Sequence, residues 1–265
     1  MKIVCLKGGL GNQMFEYCRF RDLMESGNDK VYLFYDRRRL KQHNGLRLSD
    51  CFELELPSCP WGIKLVVWGL KICRAVGVLK ILYDDEKPEA VLIDDYSQHR
   101  RFIPNARRYF FFRQFLAELQ SGFVQMIRAV DYPVSVHVRR GDYLHPSNSI
   151  FGLCGVDYFQ QAIAYVRKKR PDARFFFFSD DMEWVRENLW MEDAVYVEHT
   201  ELMPDYVDLY LMTLCRGHII SNSTFSFWGA YLAVDGNGMK IYPRRWFRDP
   251  TWTSPPIFSE EWVGL

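Results

Sequence analysis

Val134-Ser-Val-His-Val-Arg-Arg-Gly-Asp142 is an apolar alternating run that ends in two arginines, a glycine and an aspartate. Valines at 134, 136 and 138 alternate with Ser135, His137 and Arg139, the period of a strand with one apolar face. In an open α/β sheet, ligands sit beyond the carboxyl ends of the strands. A strand ending in His137, Arg139, Arg140 and Asp142 is therefore aimed at a ligand, an anionic one by its cations. Taken alone, these residues fit ion pairing at a domain junction equally well. The rest of the chain has to decide.

At 265 residues the chain can form one large domain or two of ordinary size, each with its own core. With 48% hydrophobic and 16% aromatic residues it belongs among packed globular proteins. A formal charge of +1 argues against a nucleic-acid binder working through bulk positive potential, so Arg37-Arg38-Arg39 and Lys168-Lys169-Arg170 read as solvated faces. Seven cysteines, at 5, 18, 51, 59, 73, 154 and 215, show no CxxC spacing, which speaks against a zinc site or disulfide framework and for a reducing compartment. Residues 1–6 lack a signal peptide's apolar region. The segment 63–82 carries Lys64, Lys71, Arg74 and Lys80, too many charges for full-depth membrane insertion. Because those charges are spaced around the helix, a core or inter-domain role is favoured over docking on a membrane.

The first strand, 3–6, turns through Gly8-Gly-Leu-Gly-Asn-Gln13 into a helix over 13–24. This is not a dinucleotide fingerprint. Met14 occupies the third glycine position, and Asp36, after the strand at 31–35, runs straight into arginines. Asn12 either caps the helix or offers a donor and acceptor to a ligand. A strand at 91–93 and a helix over 110–127 follow, with a domain boundary near Asp131-Tyr-Pro133. Beyond the opening stretch come a polar loop through 145–148, helices over 156–169, 182–189 and 206–215, and strands at 173–178 and 194–197. The segment 218–220 is the last strand, opening into a helix through 233. Strands alternating with helices give a parallel doubly wound sheet. Its strand ends carry Arg139, Asp180, Glu198 and Ser223.

Ser221 to Ser226 places three serines, an asparagine and a threonine at a strand-to-helix junction, more than capping requires and well suited to phosphate. With Arg139, whose fork suits bidentate phosphate contact, a diphosphate can be held without a metal. No HExxH, Asp-x-Asp or Walker lysine motif is present.

His137-Val-Arg-Arg-Gly-Asp142 resembles the HxRRxD motif of α-1,2- and α-1,6-fucosyltransferases. Together with Gly8-Gly-Leu-Gly-Asn-Gln-Met-Phe15, Phe178-Ser-Asp-Asp181, Asp208-Leu-Tyr-Leu-Met212 and Ser221-Asn-Ser-Thr-Phe-Ser-Phe-Trp-Gly229, it resembles glycosyltransferase family 11, the α-1,2-fucosyltransferases, over nearly the whole chain. Phe227 departs from the tryptophan of many members. The resemblance implies an α/β, GT-B-like fold of two Rossmann-like domains facing a cleft. Residues 1–130 would receive the acceptor and 131–265 would hold GDP-β-L-fucose, the last residues being free to pack back on the first domain. It implies inverting, metal-independent transfer of L-fucose to the 2-hydroxyl of a terminal galactose. No cofactor beyond the donor is implied, and the glycan acceptor is the partner, with no nucleic acid.

By the same resemblance, Arg139 would stabilise charge on the departing β-phosphate, with Asn12 and Asp142 as further catalytic residues. Asp208 would read guanine. His137, Gly11, Asp180, Ser223, Thr224 and Ser226 would complete the donor site. On an alternating strand Arg139 shares a face with His137, while Arg140 points away and pairs with Asp142 or an inter-domain carboxylate. Asp142, Asp180, Glu198 and His145 are all candidates for a general base. The chain is similar to the soluble bacterial type, cytoplasmic or at the membrane's inner face. Other readings are a GDP-sugar transferase of different linkage or acceptor, another sugar-nucleotide transferase of this fold, a non-catalytic nucleotide- or glycan-binding relative, and a nicotinamide oxidoreductase.

Overall fold

The computed structural model describes all residues except 28–29, 42–43, 83–88, 120–121, 146–149 and 199–202. It divides into two compact units, Met1–Arg113 and Gln114–Leu265. Residues 114–130, which the sequence reading placed before its boundary, group with the second.

In the first unit β1 (Lys2–Leu6) is the central strand of a parallel sheet ordered β2-β1-β3, with β2 (Val31–Tyr35) and β3 (Leu92–Ile93). Four of its five residues are buried, so it needs a layer on each face. One layer is α1 (Leu10–Glu25). Two short turns follow β2, α2 (Arg37–Leu40) and α3 (Leu48–Cys51). Asp36 caps the first, accepting from the Arg38 amide at 2.9 Å. The other layer is α4 (Trp61–Ala75), whose Val67 and Leu70 pack with Ile3, Cys5 and Leu92. Those two are the only buried residues of α4, so the helix expected within 63–82 ends at Ala75 and gives one side to the core. The pattern was apolar on more than one face, and the sheet covers a single face.

The expected helix over 110–127 is not continuous. Phe110 packs on Phe52 at 4.8 Å and Phe112 forms a β-bridge with the same residue, so the aromatic run is tied to the first unit's core. Helix starts only at α5 (Gln114–Ala117) and resumes at α6 (Gly122–Arg128), residues 120–121 lying outside those described.

The second unit contains β4 (Tyr132–Val138), α7 (Val156–Lys169), β5 (Ala173–Ser179), α8 (Met182–Asn188), β6 (Val195–Tyr196), α9 (Tyr206–Thr213), β7 (Gly217–Ile219), α10 (Thr224–Tyr231), β8 (Lys240–Tyr242) and β9 (Val263–Gly264). The sheet is parallel throughout, ordered β6-β5-β4-β7-β8-β9. Two strands thus follow the one expected to be last. They are two or three residues long, too short to show a period, and parallel neighbours define them. The chain's last residues form β9 in this sheet.

Val134, Val136 and Val138 pack with Phe159, Ile163 and Val166 of α7, while alternation sends Ser135 and His137 to the other face. Strands run outward from β4 to β6, then from β7 to β9 on the other side. The reversal lies between β4 and β7, the topological switch point where open α/β sheets bind ligands.

Candidate functional site

At the switch point the polar face of β4 meets the turn after β7. His137 is buried, its Nδ1 3.0 Å from the Ser221 hydroxyl and its ring 5.7 Å from that of Phe225. Burial, and then the neighbouring Arg139 charge, push its pKa down to about 3. One turn of the ladder away, the Ser135 hydroxyl lies 2.8 Å from His218 Nδ1, and burial with Lys240 lowers that imidazole to about 3 as well. Both rings are neutral parts of a buried polar layer that locks the two strand ends together. His137 therefore stands behind the serine turn.

Beyond Val138 the strand has ended, and this sets the two arginines. Arg139 Nε lies 2.8 Å from Asp142 Oδ1 and its Nη1 3.2 Å from Asp180 Oδ2. Burial opposes its charge, but the two carboxylates outweigh that and hold its pKa above the ordinary value. Its side chain remains about one-third exposed, at 32%. Arg140 pairs with Asp181 of its own unit at 3.2 Å and lies 3.9 Å over the Trp184 ring, where Asp142 or an inter-domain carboxylate was expected. Strict alternation stops one residue too early for that expectation. The Phe178-Ser-Asp-Asp181 segment supplies this frame: Ser179 donates to the Val138 carbonyl, Asp180 accepts from the Arg140 amide at 2.9 Å, and Asp181 caps α8. Glu198, a candidate base, instead pairs with Arg186 of α8.

In the serine turn, the dense polar cluster divides its tasks. Ser221 faces His137. Asn222 is fully buried and pins three segments, its Nδ2 donating to the carbonyls of Gly152 at 2.6 Å and Trp246 at 2.7 Å. Its own carbonyl accepts from Tyr143 Oη at 2.9 Å. Ser226, expected at the phosphates, is also fully buried and donates back to the Ser223 carbonyl at 3.1 Å, into its own helix turn. Ser223 occupies the N-cap of α10 without a side-chain capping bond, and Thr224 follows, partly exposed. Asp208 is buried in the first turn of α9, which packs on α10. These elements bring Arg139, Asp142, Asp180, Ser223 and Thr224 to the switch point.

In the first unit, Gly8 has φ +67°, and a Cβ there would lie 2.7 Å from Asn12 Nδ2. Asn12 Oδ1 accepts from Gln98 at 2.9 Å, and the neighbouring Gly11 is buried. Two residues that sequence reasoning missed hold this turn. Gln13 donates to the carbonyls of Gly8 and Gly45 and accepts from the Arg47 amide. Glu16, raised well above the usual carboxylate range by burial, accepts from the Lys7 amide at 2.8 Å. Their signal, two polar residues on an otherwise apolar helix face, was present in Gln13-Met-Phe-Glu16. The strand ends open into a cavity of about 450 Å³ lined by Lys7, Asp36, Lys71, Asp94 and Tyr96.

A second cavity, of about 850 Å³, lies on the α7 side of the second unit, lined by Tyr143, His145, Phe151, Tyr158, Arg245 and Arg248. Among the described residues, no group of three or more His, Cys, Asp or Glu side chains could hold a metal ion, and no helix is long and apolar enough to cross a membrane.

Solved structures give the class. The fold matches that of fucosyltransferase NodZ from Bradyrhizobium with a TM-score of 0.52, at 14% identity, covering 88% of this chain and 92% of that one. NodZ α-1,6-fucosyltransferase co-crystallized with GDP gives the same TM-score at 15% identity, over 88% and 92%. This is a GT-B-like α/β fold. The family model for glycosyl transferase family 11 matches residues 105–265, more than half of the sequence, and the chain belongs to that family of glycosyltransferases. An Escherichia coli α-1,2-colitosyltransferase is 30% identical over 98% of this chain and 97% of its own length. The Bos taurus galactoside 2-α-L-fucosyltransferase SEC1 is 33% identical over 98% and 72%.

Proposed function

We propose that this enzyme moves L-fucose from GDP-β-L-fucose to the 2-hydroxyl of a terminal galactose, with inversion and without a metal. The observation that carries the reading is Arg139, fixed by Asp142 and Asp180 at the β4–β7 switch point beside the N-terminus of α10. As the bond from fucose C1 to the β-phosphate oxygen breaks, negative charge collects on that phosphate. An oriented guanidinium and helix N–H groups meet such charge where it develops. The galactose hydroxyl attacks the opposite face of C1 and gives up its proton to a base on that face, while Asp142, 2.8 Å from Arg139 Nε, is assigned to orienting the arginine on the leaving-group side. Asp208, Ser223 and Thr224 are assigned to GDP. His137 supports that site through Ser221. Asn12 and Gly11 are assigned to the donor sugar and diphosphate from the first unit, whose 450 Å³ cavity, lined by Lys7, Asp94 and Tyr96, is assigned to the acceptor.

The SEC1 relative supports the linkage. The colitosyltransferase relative supports a second reading, in which the donor sugar is colitose.

Incubation with GDP-fucose and lactose, with EDTA present, is expected to release GDP and form an α-1,2 linkage identified by NMR. UDP-galactose should be inert. Absence of GDP release with lactose and related β-galactosides would sink the reading, and faster turnover with GDP-colitose would establish the second.

A further inference from the structure

Trp61, Leu65, Trp68 and Ile72 recur at i, i+4, i+7 and i+11 along α4, which sets them on one stripe. They are 73, 48, 67 and 44% exposed, whereas Val67 and Leu70, on the other side of the helix, are buried against the sheet. α4 is thus apolar on two faces, and its own unit covers one. The exposed surface continues past the helix through Val76, Val78, Leu79 and Ile81. Leu79 adopts φ +54°, unfavourable for a bulky side chain, and points that side chain into solvent.

Charge says what covers this surface. From 57 to 82 the sequence holds Lys64, Lys71, Arg74 and Lys80 and no Asp or Glu. Lys71 and Arg74 lie 3.3 and 3.8 Å from Asp94, while Lys64 and Lys80 are exposed. The next charges along the chain, Asp84-Asp85-Glu86, lie outside the described residues. Two copies packed through the stripe would bring Lys64 and Lys80, the exposed charges of the described residues 57–82 that Asp94 does not pair, against their own counterparts. Anionic headgroups would neutralise them, and tryptophans on an apolar stripe flanked by lysines suit the headgroup boundary.

We propose that α4 and the segment 76–81 dock the protein on an anionic lipid bilayer, with Trp61 and Trp68 entering the headgroup region. Docking does not depend on the transfer chemistry. If the acceptor reading above holds, then Lys71, which leaves the docked helix to line the first unit's cavity, ties that cavity to the bilayer surface.

The full chain should float with phosphatidylcholine vesicles containing phosphatidylglycerol and stay in solution with phosphatidylcholine alone. Trp61→Ser/Trp68→Ser should weaken vesicle binding by about tenfold or more, given the apolar area removed, with unchanged circular dichroism and an unchanged thermal shift by GDP. Lys64→Glu/Lys80→Glu should weaken it less and erase the preference for anionic lipid. No binding to the anionic vesicles at low salt would overturn the proposal, as would equal binding to both compositions. So would a concentration-dependent dimer in sedimentation that the double tryptophan substitution dissolves, because a second copy would then cover the stripe. GDP release with soluble lactose is read separately, so transfer and docking can fail independently.

Discussion

The two strand-to-helix turns are held by opposite means. The turn after β1 depends on backbone freedom: Gly8 at φ +67° makes room for Asn12, and Gln13 and Glu16 reach back to secure the backbone. The turn after β7 has no glycine. Buried side chains hold it instead, Ser221 against His137 and Asn222 across to Gly152 and Trp246. The second lies beside Arg139, held by two carboxylates at the switch point, so chemistry and stability should separate differently in the two.

Arg139→Ala is expected to have the largest effect, lowering kcat about 10²–10³-fold with the fold intact, the scale for losing a preorganised donor to developing charge. Steady-state kinetics beside a thermal melt checks this, and unchanged turnover would remove Arg139 from the chemistry. Gly8→Ala should cost about 1–3 kcal/mol in denaturant unfolding, because the new Cβ meets both the positive φ and Asn12 Nδ2. Asn222→Ala should cost a similar ~1–3 kcal/mol by stranding two carbonyls, and should also weaken GDP binding by calorimetry, because the serine turn loses its pin.

Acid should act on the second turn through its histidines. His137 and His218 have folded pKa values of about 3, below the ordinary 6.5, so the unfolded chain binds protons first as pH falls. The stability they confer is complete above about pH 6.5 and declines towards pH 3, by up to about 1.4 kcal/mol per pH unit for each proton taken up. Urea unfolding across that window should show the slope, and His218→Gln should flatten it. Ser226→Ala and Ser223→Ala should differ least but most diagnostically. The first should cost about 0.5–1.5 kcal/mol of stability and leave GDP affinity alone, and the second should do the reverse.

The legible parts of the molecule were those set by local pattern. Val134 to Val138 alternates, so its two faces could be assigned, and the strand-helix alternation after it gave a parallel sheet. What sequence could not show depended on partners far along the chain. Arg140 was expected to point away and pair with Asp142 or an inter-domain carboxylate, whereas Asp181 of the same unit, 41 positions away, holds it. Ser226 read as a ligand for phosphate because nothing in a run of hydroxyls says which one bonds back into the helix. The strands β8 and β9 are too short to carry a period. In α4, apolar spacing on two faces cannot reveal which one a sheet will cover.

The clasp around Arg139 has a consequence for how an anion enters. Two arginines and three aspartates meet there, so the site is no reservoir of positive potential, and long-range attraction should do little to draw in a nucleotide. With Nε and Nη1 already engaged by Asp142 and Asp180, an arriving phosphate either takes the Nη2 edge or turns a carboxylate away. Association then amounts to an exchange of partners, with on-rates only weakly sensitive to salt, and departure of the product restores a pair that is already in place.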